Sequence, residues 1–389
     1  MMRMTTATAI VAASSALLLT ACERPGHIVE QTGYRGTGAQ QVIRTKLEDK
    51  LRLANVVPPP PYDLPKDEGG PRAGQEYQNV KVLGDLSVDE FNYTMAALTA
   101  WVAPEAQGCN YCHNPENMAS DAVYTKVVAR KMLQMTRNIN SNWTTHVQGT
   151  GVTCYTCHRG NAVPKYVWNE TPDRFADRTS IRGQKFGQNT PGQSSVAFAS
   201  LPYDPFTPYL LKANEIRLQG VTPDRISPRS VPIASAEGTY GLMMHMSNSL
   251  GVNCSYCHNA NNFQSWSQSR PQRAVAWYGI RMVRDININY VNAVGYAMPA
   301  NRLGPLGDPY KVNCTTCHQG VNKPLYGVSM LKDYPGLRGP HGAKVVVQPA
   351  VAGDLRAAAA ADEAAGVGGP PASATPPAPL VTTPISFTR

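Results

Sequence analysis

Cys109-Asn-Tyr-Cys112-His113, Cys154-Tyr-Thr-Cys157-His158, Cys254-Ser-Tyr-Cys257-His258 and Cys314-Thr-Thr-Cys317-His318 are four copies of one motif in a chain of 389 residues with nine cysteines. In c-type haem attachment the two thiols of Cys-x-x-Cys-His add to the haem vinyl groups, and the adjacent histidine becomes an axial iron ligand. Zinc ribbons and redox dithiols also use Cys-x-x-Cys pairs. Neither needs a histidine directly after every second cysteine. The motifs therefore predict four covalently bound c-type haems, attached at Cys109, Cys112, Cys154, Cys157, Cys254, Cys257, Cys314 and Cys317. His113, His158, His258 and His318 are the first axial ligands.

The motifs fall in two pairs, and their surroundings repeat with them. Cys109-Asn-Tyr-Cys-His-Asn resembles Cys254-Ser-Tyr-Cys-His-Asn. Cys154-x-Thr-Cys-His-x-Gly160 resembles Cys314-x-Thr-Cys-His-x-Gly320, each followed by a proline (Pro164, Pro324) and a tyrosine (Tyr166, Tyr326) at matching offsets. Between the members of each pair, Arg137-Asn-Ile-Asn140 resembles Arg284-Asp-Ile-Asn287. The expected fold is mainly α with much irregular structure, built as two dihaem modules related by a pseudo-twofold axis. The first spans residues 86–166 and the second 233–330. An extended segment, 22–85, precedes them, a connector, 167–232, joins them, and an Ala/Pro-rich disordered tail, 331–389, follows, its bias strongest from about 345.

The chain opens on Arg3, the only charge in its first 21 residues, and an apolar run from Ala9 to Leu19. That run is short for a membrane span and reads as the core of a signal peptide, residues 1–21. It ends in Leu19-Thr20-Ala21-Cys22, the pattern of a bacterial lipoprotein signal, so Cys22 is the expected lipidation site. Eight thioethers and one lipid anchor then use all nine cysteines and leave no disulfide. A lipid-anchored chain sits on the periplasmic face of the inner membrane.

Net charge is +9, but each haem brings two propionates, so the basic balance gives no reason to expect nucleic acid. Local charge is more informative. Glu76, Asp85, Asp89, Glu90, Glu105, Glu116 and Asp121 lie around the first motif with Lys81 alone opposing them. Such a stretch is either a solvated face or a docking surface for a basic redox protein.

Ser87-Val-Asp-Glu90 is a capping-box signature opening a helix with Phe91, Met95, Leu98 and Val102 on one face. A second helix is expected from about 119 to 140. The second module repeats the plan near 237–250, stopped by Gly251, and near 272–288. These helices offer the sixth ligands. Met95 precedes the first motif, and Met132 or Met135 the second. Met243, Met244, His245 and Met246 precede the third. Aligning Arg137 with Arg284 sets Met135 opposite Met282 and Met132 opposite Gly279, so the fourth haem lacks the counterpart of Met132. Met282 and His146, eight residues before Cys154, both remain open for it.

A lipobox, four paired Cys-x-x-Cys-His motifs, helix-borne methionines and one histidine between the first two motifs together resemble the tetrahaem cytochrome subunit of the purple-bacterial photosynthetic reaction centre. The resemblance covers about residues 20–330 and is most specific from Cys154 to Tyr166. It implies Met95, Met132 and Met243 as sixth ligands of the first three haems and His146 for the fourth. It also implies an electron carrier rather than an enzyme. A soluble cytochrome c2 or high-potential iron–sulfur protein would reduce the haems, and the photo-oxidised special pair of the reaction-centre membrane subunits would receive the electron. A multihaem reductase would keep an axial site open. A quinol-oxidising tetrahaem cytochrome would carry a membrane helix and rely more on histidine.

Overall fold

The computed structural model describes residues 26–31, 40–170, 204–216, 233–263, 266 and 268–339. The signal segment, Cys22, His341 and the rest of the connector and tail lie outside the described residues.

The described residues fall in two compact units, divided between residues 54 and 55. In the first, β1 (His27–Gln31) pairs antiparallel with β2 (Gln40–Arg44) in the register Val29 to Val42, and α1 (Thr45–Ala54) follows. The segment expected to be extended thus contains a hairpin and a helix. Glu48 on α1 is buried and ion-pairs with Arg52 one turn on, at 2.8 Å, a spacing that puts both on one face.

The second unit holds both modules. In the first module α2 (Val88–Val102) begins at the expected capping box: Glu90 N donates to Ser87 Oγ at 3.2 Å, and Ser87 N donates to Glu90 Oε2 at 3.1 Å. Tyr93, Ala97 and Trp101, four residues apart, form its buried stripe. The helix stops before Pro104, whose ring disfavours helical backbone at Ala103. Then come α3 (Tyr124–Asn142), the single turn α4 (Thr144–Val147) and α5 (Cys154–His158). The second module contributes α6 (Ile233–Leu250), α7 (Pro271–Asp285) and α8 (Cys314–His318). Gly251 ends α6 at φ 64°, where a side chain would also overlap the Gly320 carbonyl. Pro271 opens α7 at its first position, where no backbone N–H is needed.

Two irregular straps complete the modules, each borrowed from the chain that follows the other module's second motif. Residues 330–337, of which 331–337 were expected to belong to the tail, are packed: Leu331 and Leu337 are fully buried against α2, with Tyr334 stacked on Tyr93 at 5.0 Å and edge-on to Trp101 at 4.6 Å. Residues 204–216, expected to be connector, place Phe206, Tyr209 and Leu210 in the core of the second module with Leu242, Ile280 and Val283. The repeated Arg-x-Ile-Asn segment grips both straps in one way. Arg137 Nε donates to Gly336 O at 2.9 Å and Arg284 Nε to Tyr209 O at 3.1 Å. Asn140 Nδ2 donates to the carbonyls of Leu337 and Val152 and takes the Val152 N–H. Asn287 does the same with Leu210 and Val312. The repeat therefore extends to Pro208-Tyr209-Leu210 and Pro335-Gly336-Leu337.

Where the modules meet, equivalent residues meet each other. Met135 and Ile139 of α3 share one apolar cluster with Met282 and Ile286 of the second module. Asn138 donates to its own counterpart, Asp285, at 2.9 Å. The pseudo-twofold axis passes through this contact.

Candidate haem sites

The motifs come in two local geometries, again in pairs. The first and third start on short 3-10 turns, Gly108–Tyr111 and Cys254–Tyr256. The second and fourth are the single helical turns α5 and α8, capped by Thr153 and Asn313 and followed by left-handed residues, Arg159 and Gln319, both at φ 50°. Non-glycine residues adopt that conformation rarely, so its recurrence at matching positions marks one motif used twice.

All four motif histidines are oriented alike. Nδ1 lies 3.0 Å from Met118 O in His113, 2.8 Å from Asn161 O in His158, 3.1 Å from Phe263 O in His258 and 3.0 Å from Val321 O in His318. A carbonyl can only accept, so Nδ1 carries the proton and Nε2 keeps its lone pair. That fixed tautomer is how a metal-bound imidazole is held. Burial lowers the pKa of His158, His258 and His318, the last to about 4 with His146 adding to the effect, which keeps these rings neutral and able to bind iron.

Three of the buried thiols are not tuned as a reactive dithiol is. Burial pushes Cys154 and Cys314 up to about 12 and Cys257 up to about 11, whereas reactive dithiols are tuned downward. Among the described residues no three His, Cys, Asp or Glu side chains gather as a zinc ribbon requires. One expectation is corrected: Cys157 and Cys317 are joined as a disulfide, with Cα atoms 4.5 Å apart. The second and fourth motifs pack back to back, so these two sulfurs reach each other. Thioether attachment of haem at Cys157 and Cys317 would take the place of the disulfide, since each sulfur makes one such bond. The motif contact itself is common to both.

The structure sorts the sixth-ligand candidates. Gly160 N–H bonds to Trp101 O at 2.9 Å and Gly320 N–H to Ser249 O at 2.8 Å. This equivalence of Trp101 and Ser249 sets Met243, not Met244 or Met246, opposite Met95. Both are half-buried against their module's core. His245 is a satisfied core residue, its Nε2 3.2 Å from Ser249 Oγ and its ring 4.6 Å from that of Phe206. Met135 and Met282 are spent in the cluster between the modules, which leaves Met132 half-buried on α3.

His146 is held in the same way as the motif histidines. Its Nδ1 lies 2.9 Å from Val275 O on α7, and its ring centre is 6.1 Å from that of His318. With metal–nitrogen bonds of about 2 Å, two imidazoles on one metal stand about 6 Å apart between ring centres. The pair fits a bis-histidine haem. A second sign of fit lies at the third motif. Arg270 Nη1 is buried with no hydrogen-bond partner, and Arg270 N donates to Cys257 O at 3.2 Å. The guanidinium lies over the Tyr256 ring, and a haem propionate is an anion that would satisfy the unpartnered Nη1.

The acidic stretch is less open than its sequence implied. Arg137 holds Asp85 with two hydrogen bonds, Glu90 serves the helix cap, and Arg130 pairs with Asp121 at 2.8 Å. Glu76, Asp89, Glu105 and Glu116 stay exposed, as do Cys109 and Met118.

The protein-family model described as the photosynthetic reaction centre cytochrome C subunit matches residues 23–338. The photosynthetic reaction center cytochrome c subunit of Rubrivivax gelatinosus is 52% identical over 335 residues, covering 85% of this chain and 89% of that protein. Its namesake in Thermochromatium tepidum is 49% identical over 358 residues, covering 92% and 85%. That of Roseobacter denitrificans is 40% identical over 323 residues, covering 79% and 84%. With the motifs, the ligand-ready histidines and these matches all in agreement, the chain belongs to the family of photosynthetic reaction centre cytochrome c subunits.

Proposed function

We propose that this chain carries electrons from a soluble periplasmic donor, a cytochrome c2 or a high-potential iron–sulfur protein, through four c-type haems to the photo-oxidised special pair. The family already makes it an electron carrier of photosynthesis with covalently bound c-type haem, a partner of reaction-centre subunits associated with the membrane. The observation that carries the finer reading is the set of five histidines, His113, His146, His158, His258 and His318, each with Nδ1 against a backbone carbonyl. Four belong to attachment motifs, and the fifth faces His318.

Each bound haem supplies a one-electron iron couple, and the protein's part is to hold it, space it and tune it. His113, His158, His258 and His318 are the proximal ligands, with Met95, Met132, Met243 and His146 opposite them in the same order. Methionine ligation raises a haem's potential, so the fourth haem lies lower than its neighbours. The contact of the second and fourth motifs, with exposed Cys109 and Cys254 in the other two, supports a chain of sites in the order first, second, fourth, third. Glu76, Asp89, Glu105 and Glu116 suit a basic donor at the first haem. Cys22 is the proposed lipid anchor at the periplasmic face. Among the described residues no helix is long and apolar enough to cross a membrane.

Flash spectroscopy on native membranes with the haems reduced tests the proposal. Haem oxidation that matches re-reduction of the special pair is expected. Intact, reducible haems that give no flash-induced change would refute it.

A further inference from the structure

We infer that Gly279 is the residue that assigns a histidine to the fourth haem: by lacking a side chain it admits His146 from the other module to the face of α7. The inference rests on the reading of His146 as that haem's ligand. Position 279 corresponds to Met132, because both lie five residues before the strap-gripping arginines, Arg137 and Arg284. The first module fills the position with a ligand from its own helix. In the second, the position is empty and a ring from the first module occupies the space.

The fit is close. A Cβ built on Gly279 would lie 2.5 Å from Cε1, 2.8 Å from Nδ1 and 3.1 Å from Nε2 of His146. Ordinary carbon contacts begin near 3.5 Å, so even a methyl group would push the ring away by about 1 Å. Metal–ligand distances tolerate about 0.2 Å. Glycine acts a second time through the backbone. The carbonyl that accepts His146 Nδ1 is that of Val275, the residue whose carbonyl faces the N–H of residue 279 along an α-helix. Without a Cβ at 279 the imidazole can reach this carbonyl from the side, and the contact fixes the tautomer with Nε2 free. Gly279 is thus a positioning residue. It costs the interior of α7 some helix stability, and a ligand site is gained in return. Because His146 sits on α4, the same contact ties the first module to the second.

A double-mutant cycle over Gly279→Ala and His146→Ala tests this, reading the midpoint potential of each haem and the low-spin signal of each ferric iron, with haem content by pyridine haemochrome as the assembly control. Gly279→Ala is expected to change one haem of four and to leave the other three potentials in place. In the His146→Ala background the added methyl has nothing to displace, and no further change is expected. If Gly279→Ala accumulates poorly while the double variant accumulates as His146→Ala does, the clash is shown in that readout. A Gly279→Ala effect of equal size with and without His146, or no effect at all while His146→Ala alters one haem, would overturn the inference and leave the ligand reading standing. Four unchanged haems in His146→Ala would remove the ligand reading itself.

Discussion

The two modules share the grip on their straps and differ in how they provide for the haem of the second motif in each pair. In the first module, α3 carries Met132, the proposed ligand, on its own helix. In the second, α7 presents a gap at Gly279 and a carbonyl at Val275, and the ring of His146 comes from the first module. The arginine grip differs too. Arg137 is buried and holds Asp85, Val82 and Gly336 at once, whereas Arg284 is half-buried and, among the described residues, holds the Tyr209 carbonyl alone. On the proposed ligation, symmetry is kept where the backbone must be held and given up where a redox couple would differ from its twin. A duplicated scaffold can therefore diversify its potentials with few substitutions, provided they fall at the ligand positions.

The largest change should come from making the modules alike. Gly279→Met combined with His146→Ala gives the second module the ligand of the first, and redox titration should show one haem of four rising in potential. Unequal grips predict unequal losses. Arg137→Ala leaves Asp85 and two carbonyls without their donor and should cost about 4 kcal/mol, against about 2 kcal/mol for Arg284→Ala. Denaturant unfolding of the haem-loaded protein measures both, and equal losses would break the comparison. Where the modules match, losses should match. Leu210→Ala and Leu337→Ala each empty a fully buried site and should cost about 3 kcal/mol. The smallest effect belongs to a surface pair without a counterpart. Arg130 beside Asp121 holds its carboxyl well below the usual range, so the pair stabilises the fold above the ordinary carboxylate pKa and loses that effect as the pH falls. Asp121→Asn should cost under about 1 kcal/mol at neutral pH, and its gap from the unaltered protein should close on acidification.

Covalent c-type haem was legible in sequence because the chemistry of haem attachment fixes five consecutive positions. The Ser87 cap, the stop at Gly251 and the four long helices were legible because local rules govern them. The straps were not. Pro208-Tyr209-Leu210 and Pro335-Gly336-Leu337 share two residues of three, too few to register as a repeat. Each is buried by partners from 75 to 199 residues away in sequence. Residues 331–337 were expected to be tail and 204–216 connector because each adjoins a stretch of biased composition, Ala/Pro/Gly-rich in one case and Pro/Gly/Ser/Gln-rich in the other. His245 entered the ligand candidates by spacing alone, and only the packing of Phe206 and Ser249 shows it to be core. Charge misled in the same way: Asp85 and Asp121 lie among acids in sequence but beside arginines in space. The gap at Gly279 could be read from the repeat, whereas the ring that fills it could not.

The exchange of straps also bears on the order in which the molecule can be finished. The first module's haem motifs emerge from the ribosome well before residues 330–337, yet those later residues complete the packing of Tyr93 and Trp101 and the hydrogen bonding of Asn140. The second module meets its own strap, 204–216, before either of its motifs. The half that is made first is therefore the half that closes last, and a chain interrupted before residue 330 leaves it open.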